Sequence, residues 1–128
     1  MAEKAAAERS LSEGGSIKLT LDYPPSANRY WRTTGRVYVS EEADLYKADA
    51  AVLAHQQGVR KPLQGEVSIT ARVYCPTRAR DLDNCLKVLI DALQGVAIAD
   101  DKQVTEIHAV KLIDTKRPRV EVEIVNLK

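Results

Sequence analysis

Residues 66–75, EVSITARVYC, alternate without a break, so that Val67, Ile69, Ala71, Val73 and Cys75 fall on one side of an extended chain. Pro76 ends the run, because proline cannot donate to a strand ladder. The period then changes. Leu86, Leu89, Ile90 and Leu93 recur at i, i+3, i+4 and i+7, which predicts a helix from about Asn84 to Leu93 that stops at Gly95. A strand with one apolar face followed closely by an amphipathic helix asks for a layered fold, with helices packed on a sheet.

The rest of the chain fits that demand. SIKLTLDY alternates Ile17, Leu19, Leu21 and Tyr23 against Lys18, Thr20 and Asp22, a half-buried strand that Pro24-Pro25 terminates. SANRYWRTTGR is expected to be a loop, with VYVS a short strand after it. Ser40 before Glu41-Glu42 looks like a helix N-cap with acids in the first turn, and that helix should run from about Glu41 to Gln57, with Gly58 as its stop. VTEIHAVKLI and RVEVEIVNL form two closing strands around a turn at residues 114–118. The expected fold is α+β: a single domain, a mixed β-sheet with two main helices, in the order β-β-α-β-α-β-β. Residues 1–15, small, charged and ending in Gly-Gly, are set aside as a flexible tail, and 16–128 form the domain.

A chain of 128 residues is long enough for one core without disulfides or structural metal. Cys75 and Cys85 make no CxxC pair, and His55 and His108 are the only histidines, so a zinc site is not expected. Buried thiols in a reducing compartment, no apolar run near ~18 residues and no signal-peptide core predict a cytoplasmic protein without a membrane segment. With 19 basic against 18 acidic residues, net charge decides nothing about nucleic acid, and the distribution has to.

That distribution is uneven at RARDLDNCLK, residues 78–87. Asp81 and Asp83 share a face only if the chain there is extended. Alternatively, Asp83 simply caps the helix and Asp81 is a solvated loop residue. Three features favour a site. The helix has a narrow polar stripe of Asn84, Lys87, Asp91 and Gln94, with Lys87 continuous with the aspartates; otherwise Lys87 would merely pair with Asp91. A second acidic pair, Asp100-Asp101, follows, and a short return from Gly95 would carry it back towards the strand ends. Hard divalent ions take carboxylates together with water and substrate phosphate, and without a cation such carboxylates would repel one another. On the basic side, Arg72, Arg78 and Arg80 lie in a stretch with no acid. NRYWR sets Arg29 and Arg32 beside Tyr30 and Trp31, a pattern that clamps phosphates and stacks on bases if it is not an ordinary loop.

Taken in order, PPSANRYWR, RDLDNCLKVLIDAL, GVAIADDKQV and the closing strands resemble the RusA-type Holliday junction resolvases over roughly residues 16–125. The resemblance implies a Mg²⁺- or Mn²⁺-dependent endodeoxyribonuclease that cuts four-way branched DNA as a homodimer, at work on the nucleoid. It implies Asp81, Asp83 and Asp101 as metal ligands and Lys87 as the catalytic lysine. Asn28, Arg29, Arg32, Arg78, Arg80 and Asn84 would be the DNA contacts, and Asp91 would be more structural. Many relatives carry an aromatic and an acid before the aspartate pair, where this chain has Ile98 and Ala99. Two other classes compete: a branched-DNA-binding protein without catalysis, and a transferase using the DxD pair with a metal-nucleotide. The complete Asp81/Asp83/Asp101/Lys87 set opposes the first. The absence of a glycine-rich phosphate loop opposes the second.

Overall fold

The computed structural model describes residues 15–26, 31–33, 37–39 and 41–127, with side chains for 15–26 and 41–127. Of the expected tail at 1–15, residues 1–14 lie outside them, as do Asn28 and Arg29. In chain order the elements are β1 (Ser16–Asp22), β2 (Trp31–Thr33), β3 (Val37–Val39), α1 (Glu41–Gln56), β4 (Val67–Cys75), α2 (Leu82–Leu93), a 3-10 turn (Asp101–Gln103), β5 (Val104–Ile113) and β6 (Arg119–Asn126). The sheet order is β1-β6-β4-β5. β6 runs antiparallel to both β1 and β4, and β5 runs parallel to β4, so the sheet is mixed and the class is α+β as the patterns require. The stretch expected to be a loop holds one more strand: β2 pairs with β3 in a small hairpin, Trp31 opposite Val39.

The alternation seen in the sequence is the core. Val67, Ile69, Ala71, Val73 and Cys75 are all fully buried, and register aligns them in rows with Val120, Val122 and Ile124 of β6 and with Leu19 and Leu21 of β1. α2 covers this face with Val88, Leu89, Ala92 and Leu93, and α1 lays Ala43, Tyr46, Ala50 and Ala54 on it. Burying one Leu or Val of this kind contributes about 1.5–3 kcal/mol. Ile98, in the place where relatives carry an aromatic, is also fully buried.

The opposite face of the sheet is charged. Arg119 stacks on Tyr74 at 3.8 Å and bonds Asp114 and Glu121. Arg72 also bonds Glu121 and holds that carboxyl below its ordinary range, with Arg119 adding to the effect.

The two edges differ. On β1, the Thr20 backbone N–H donates to Gln57 Oε1 and the Thr20 carbonyl accepts from Gln57 Nε2, both at 2.8 Å. One side-chain amide therefore takes the edge groups of Thr20 in place of a neighbouring strand. β5 has no such cover among the described residues, and Ile107, Val110, Leu112 and Ile113 are exposed along it.

Where β1 ends against α1, the Asp22 and Asp49 carboxyls hydrogen-bond, and Asp49 is pushed up to about 6 by that bond, with burial and the Asp22 charge adding to it. A folded-state pKa above the unfolded one means that the protonated acid stabilises the fold. The contribution is full below about pH 4 and disappears as pH rises through 6. Asp49→Asn keeps a donor at every pH. Melting followed from pH 4.5 to 7.5 should show the wild type losing stability relative to Asp49→Asn across pH 6, and parallel curves would refute the shared proton.

Candidate active site

α2 starts earlier than its apolar spacing suggests, and the reason is Leu82, which packs against the core. Asp81, not Asp83, is therefore the N-cap, with φ −90° and ψ 128°, and Asp83 lies inside the first turn. The two aspartates do not share an extended face. They share a helix end, where unsatisfied N–H groups favour negative charge.

Asp81 occupies the capping position without capping: its side chain accepts no N–H of the helix. Its only side-chain hydrogen bond among the described residues comes from Asn84 Nδ2, at 3.3 Å. The Asp83 side chain has no partner among the described residues, and both carboxylates are exposed. One turn on, Lys87 is exposed and also lacks a side-chain partner there. The expected alternative pair with Asp91 is absent, because Asp91 bonds Lys47 of α1 at 3.0 Å. Asp83 and Lys87, four residues apart, lie on one face of α2. Three exposed charged groups, none in an ion pair among the described residues, thus gather at the start of a well-packed helix.

The loop before them is held firmly. Asp114 N–H donates to the Cys75 carbonyl at 2.9 Å, Thr115 Oγ1 to the Pro76 carbonyl at 3.2 Å, and Lys111 Nζ to the Arg78 carbonyl at 2.6 Å. Lys111 sits opposite Val73 in the register, a cation on the core-facing side of β5. That break in the alternation is the signal that would have marked it as a brace. Arg78 and Arg80 are exposed on this loop. Of Arg32 only the backbone, in β2, is described.

Asp101 is elsewhere. Asp100 caps the 3-10 turn, accepting Lys102 N–H at 2.8 Å, and this bond, with the neighbouring Asp101 carboxyl second, holds Asp100 below the ordinary carboxylate range. Gln103 ties the turn down: its Oε1 accepts from Ala99 and Asp100 N–H, each at 2.7 Å, and its Nε2 donates to the carbonyls of Leu63 and Gly65. Asp100 and Gln103 are therefore structural, and Asp101 is left exposed.

The expected return of this pair to the strand ends does not occur within one chain. β4 and β5 are parallel, Val67 beside Val104 and Cys75 beside Ile113, so α2 must carry the chain back along the whole strand before β5 can begin. Asp81 follows the far end of β4 and Asp101 precedes the near end of β5. Eight strand steps of ~3.3 Å separate those ends by roughly 25 Å. Among the described residues of one chain, no three Asp, Glu, His or Cys side chains group closely enough to hold a metal ion.

The family model described as Endodeoxyribonuclease RusA matches residues 22–125. The chain belongs to the RusA family of endodeoxyribonucleases. It is similar to the Crossover junction endodeoxyribonuclease RusA of Escherichia coli strain K12, 37% identical over 115 residues, 88% of this chain and 96% of the relative. It is also similar to the Crossover junction endodeoxyribonuclease of Enterobacteria phage 82, 36% identical over 112 residues, 85% of this chain and 93% of the relative. A Shigella sonnei relative of the same name is 35% identical over 115 residues, 88% of this chain and 96% of that relative. The RusA match spans all of the elements from the end of β1 to β6, including the candidate helix end and Asp101. No described helix is long and apolar enough to cross a membrane.

Proposed function

We propose that the protein is a divalent-metal-dependent endonuclease that resolves Holliday junctions in DNA recombination and repair by paired cuts, acting as a homodimer. The observation that carries this is the set of exposed Asp81, Asp83 and Lys87 on the first turns of α2, none in an ion pair among the described residues, in a chain of the RusA family.

The donor set suits Mg²⁺ or Mn²⁺, which need one or two carboxylates beside water and phosphate oxygens. Asp81 and Asp83 would hold the ion at the helix end, and Asp101 would complete the set only from a second chain, because its own lies at the other end of the sheet. When bound, a divalent ion supplies neutralisation of the scissile phosphate and a lowered pKa for the attacking water. Asn84 holds the Asp81 carboxylate in one orientation through its Nδ2. Lys87 presents a fixed positive charge towards the phosphate as negative charge develops there. Arg78 and Arg80, on the braced loop, position backbone phosphates without reading sequence. Asn28, Arg29 and Arg32 would add contacts from the early loop.

A four-way junction is close to two-fold symmetric, so two matching cuts call for two identical sites at a fixed separation, which a C₂ dimer provides. The exposed apolar residues of β5 run between the two half-sites and are the surface best suited to a second copy. Sedimentation equilibrium at micromolar concentration should give twice the mass of the chain, and Val110→Lys should shift it towards one chain. A single-chain mass for the wild type would contradict the dimer.

The function itself is tested by incubating a synthetic four-way junction with the protein in Mg²⁺ and in EDTA. Symmetric nicks in Mg²⁺ alone are expected; binding without cutting under both conditions would favour a purely architectural role. Lys87→Ala should leave melting unchanged, since the residue is exposed and alanine favours helix. It should slow single-turnover cleavage about a hundredfold, on the order of 3 kcal/mol. An unchanged rate would return Lys87 to the solvated helix edge.

A further inference from the structure

Between Tyr23 and the first turn of α2 lies a cavity of about 140 Å³, and Asp81 forms part of its wall. Tyr23 and Pro24 give it flat apolar sides, Asn84 a polar one, and Arg80 a cation. The Tyr23 ring is fixed in place, its hydroxyl 3.1 Å from Cys85 Sγ. Asn84 Nδ2 donates to Asp81, and the Asn84 Oδ1 has no partner among the described residues. At ~30 Å³ per water, the space holds four or five waters. It is well short of the ~300 Å³ of a drug-sized pocket, and it suits one flat ring. A phosphate would meet the Asp81 carboxylate with one arginine to offset it, so the lining favours a neutral planar group.

We propose that this cavity receives one unstacked base of the branched DNA, from a nucleotide bordering the branch point, with Tyr23 as its stacking surface and Asn84 as the reader of its edge. This rests on the branched-DNA reading given above. Proteins that hold a base outside a duplex do so with an aromatic face and amide groups on the base edge, and a base at a branch is already partly unstacked. The cavity sits against Asp81, so the captured base would fix which phosphate faces the carboxylates. Tyr23 is then a specificity-determining residue contributed by the β1 end, remote in sequence from the aspartates.

The test is a double-mutant cycle in binding, run in EDTA so that no cutting is needed. An abasic analogue is placed in turn at each nucleotide bordering the branch. Tyr23→Ala should weaken binding of the intact junction about tenfold, as loss of one base–aromatic stack does. At one position the abasic junction should bind wild type equally weakly, and the two changes together should be no worse than either alone. Tyr23→Phe, which keeps the ring, should bind like wild type. If Tyr23→Ala does not fold, Tyr23→Leu keeps the apolar bulk and takes its place. Penalties that multiply at every position would overturn the proposal while leaving junction cleavage intact. Coupling at one position in a protein that never cuts in Mg²⁺ would support the cavity and remove the nuclease. A protein that binds no four-way junction would sink both.

Discussion

Asp81→Asn is expected to abolish junction cleavage while leaving the protein folded and bound to DNA. The structure separates the two roles an aspartate could have at this position. Asp81 is the N-cap of α2, but its carboxylate makes no capping bond. Asparagine is as good as aspartate at an N-cap, and its Oδ1 still accepts from Asn84. An exposed substitution of this kind should cost less than about 0.5 kcal/mol. What changes is one negative charge on the face proposed to hold a cation and a phosphate. Its loss should tighten junction binding, if anything, and slow cleavage by at least about a hundredfold. Asp83→Asn, in the first turn with no side-chain partner among the described residues, should behave alike. Single-turnover cleavage, a gel-shift titration in EDTA and a melting curve separate the outcomes. Either variant cutting at wild-type rate would remove the carboxylates from the site.

The second large effect concerns Asp101. If each site takes Asp81 and Asp83 from one chain and Asp101 from the other, two inactive homodimers should complement. Asp81→Asn and Asp101→Asn proteins, unfolded together and refolded as a mixture, would give mixed dimers. One site of each mixed dimer would carry both lesions and the other none. Cleavage should therefore reappear, from nothing to within about tenfold of wild type, as single nicks without paired resolution. If all three aspartates served one site within one chain, every site in the mixture would carry a lesion and no nicking would return. The two arrangements thus differ in kind, and a denaturing gel of end-labelled junction strands distinguishes them.

The separation behind that experiment was hidden from the sequence for a definite reason. Alternation at 66–75 and helical spacing at 86–93 report which face of each element is buried; burial bears out the first, while in the second Leu89 and Leu93 are buried and Leu86 and Ile90 only partly so. Neither pattern reports whether the next strand runs parallel or antiparallel to the last, and that alone decides whether Asp101 returns to Asp81 or starts at the opposite end. The helix start was misplaced by two residues because two aspartates compete for one cap, and burial of Leu82, a tertiary fact, settles the competition. Within Asp100-Asp101 the pattern marks two acids of equal promise. Hydrogen bonds to Lys102 and Gln103 make the first structural. β2 escaped notice because three residues are too few for a period to show. Tyr23 could be read only as the last inward residue of its strand, since its neighbours in space, Cys85 and Asp81, lie some sixty residues away.

The amide of Gln57 takes up both edge groups of Thr20, in the middle of β1, and makes that edge a poorer docking strand than β5. With both flanking strands open, each copy added would offer a fresh edge to the next, and growth would have no natural end. With Thr20 of β1 taken and β5 uncovered among the described residues, the proposed partner would dock at β5. In the homodimer proposed above, a second copy docking on β5 would leave no comparable open edge among the described residues.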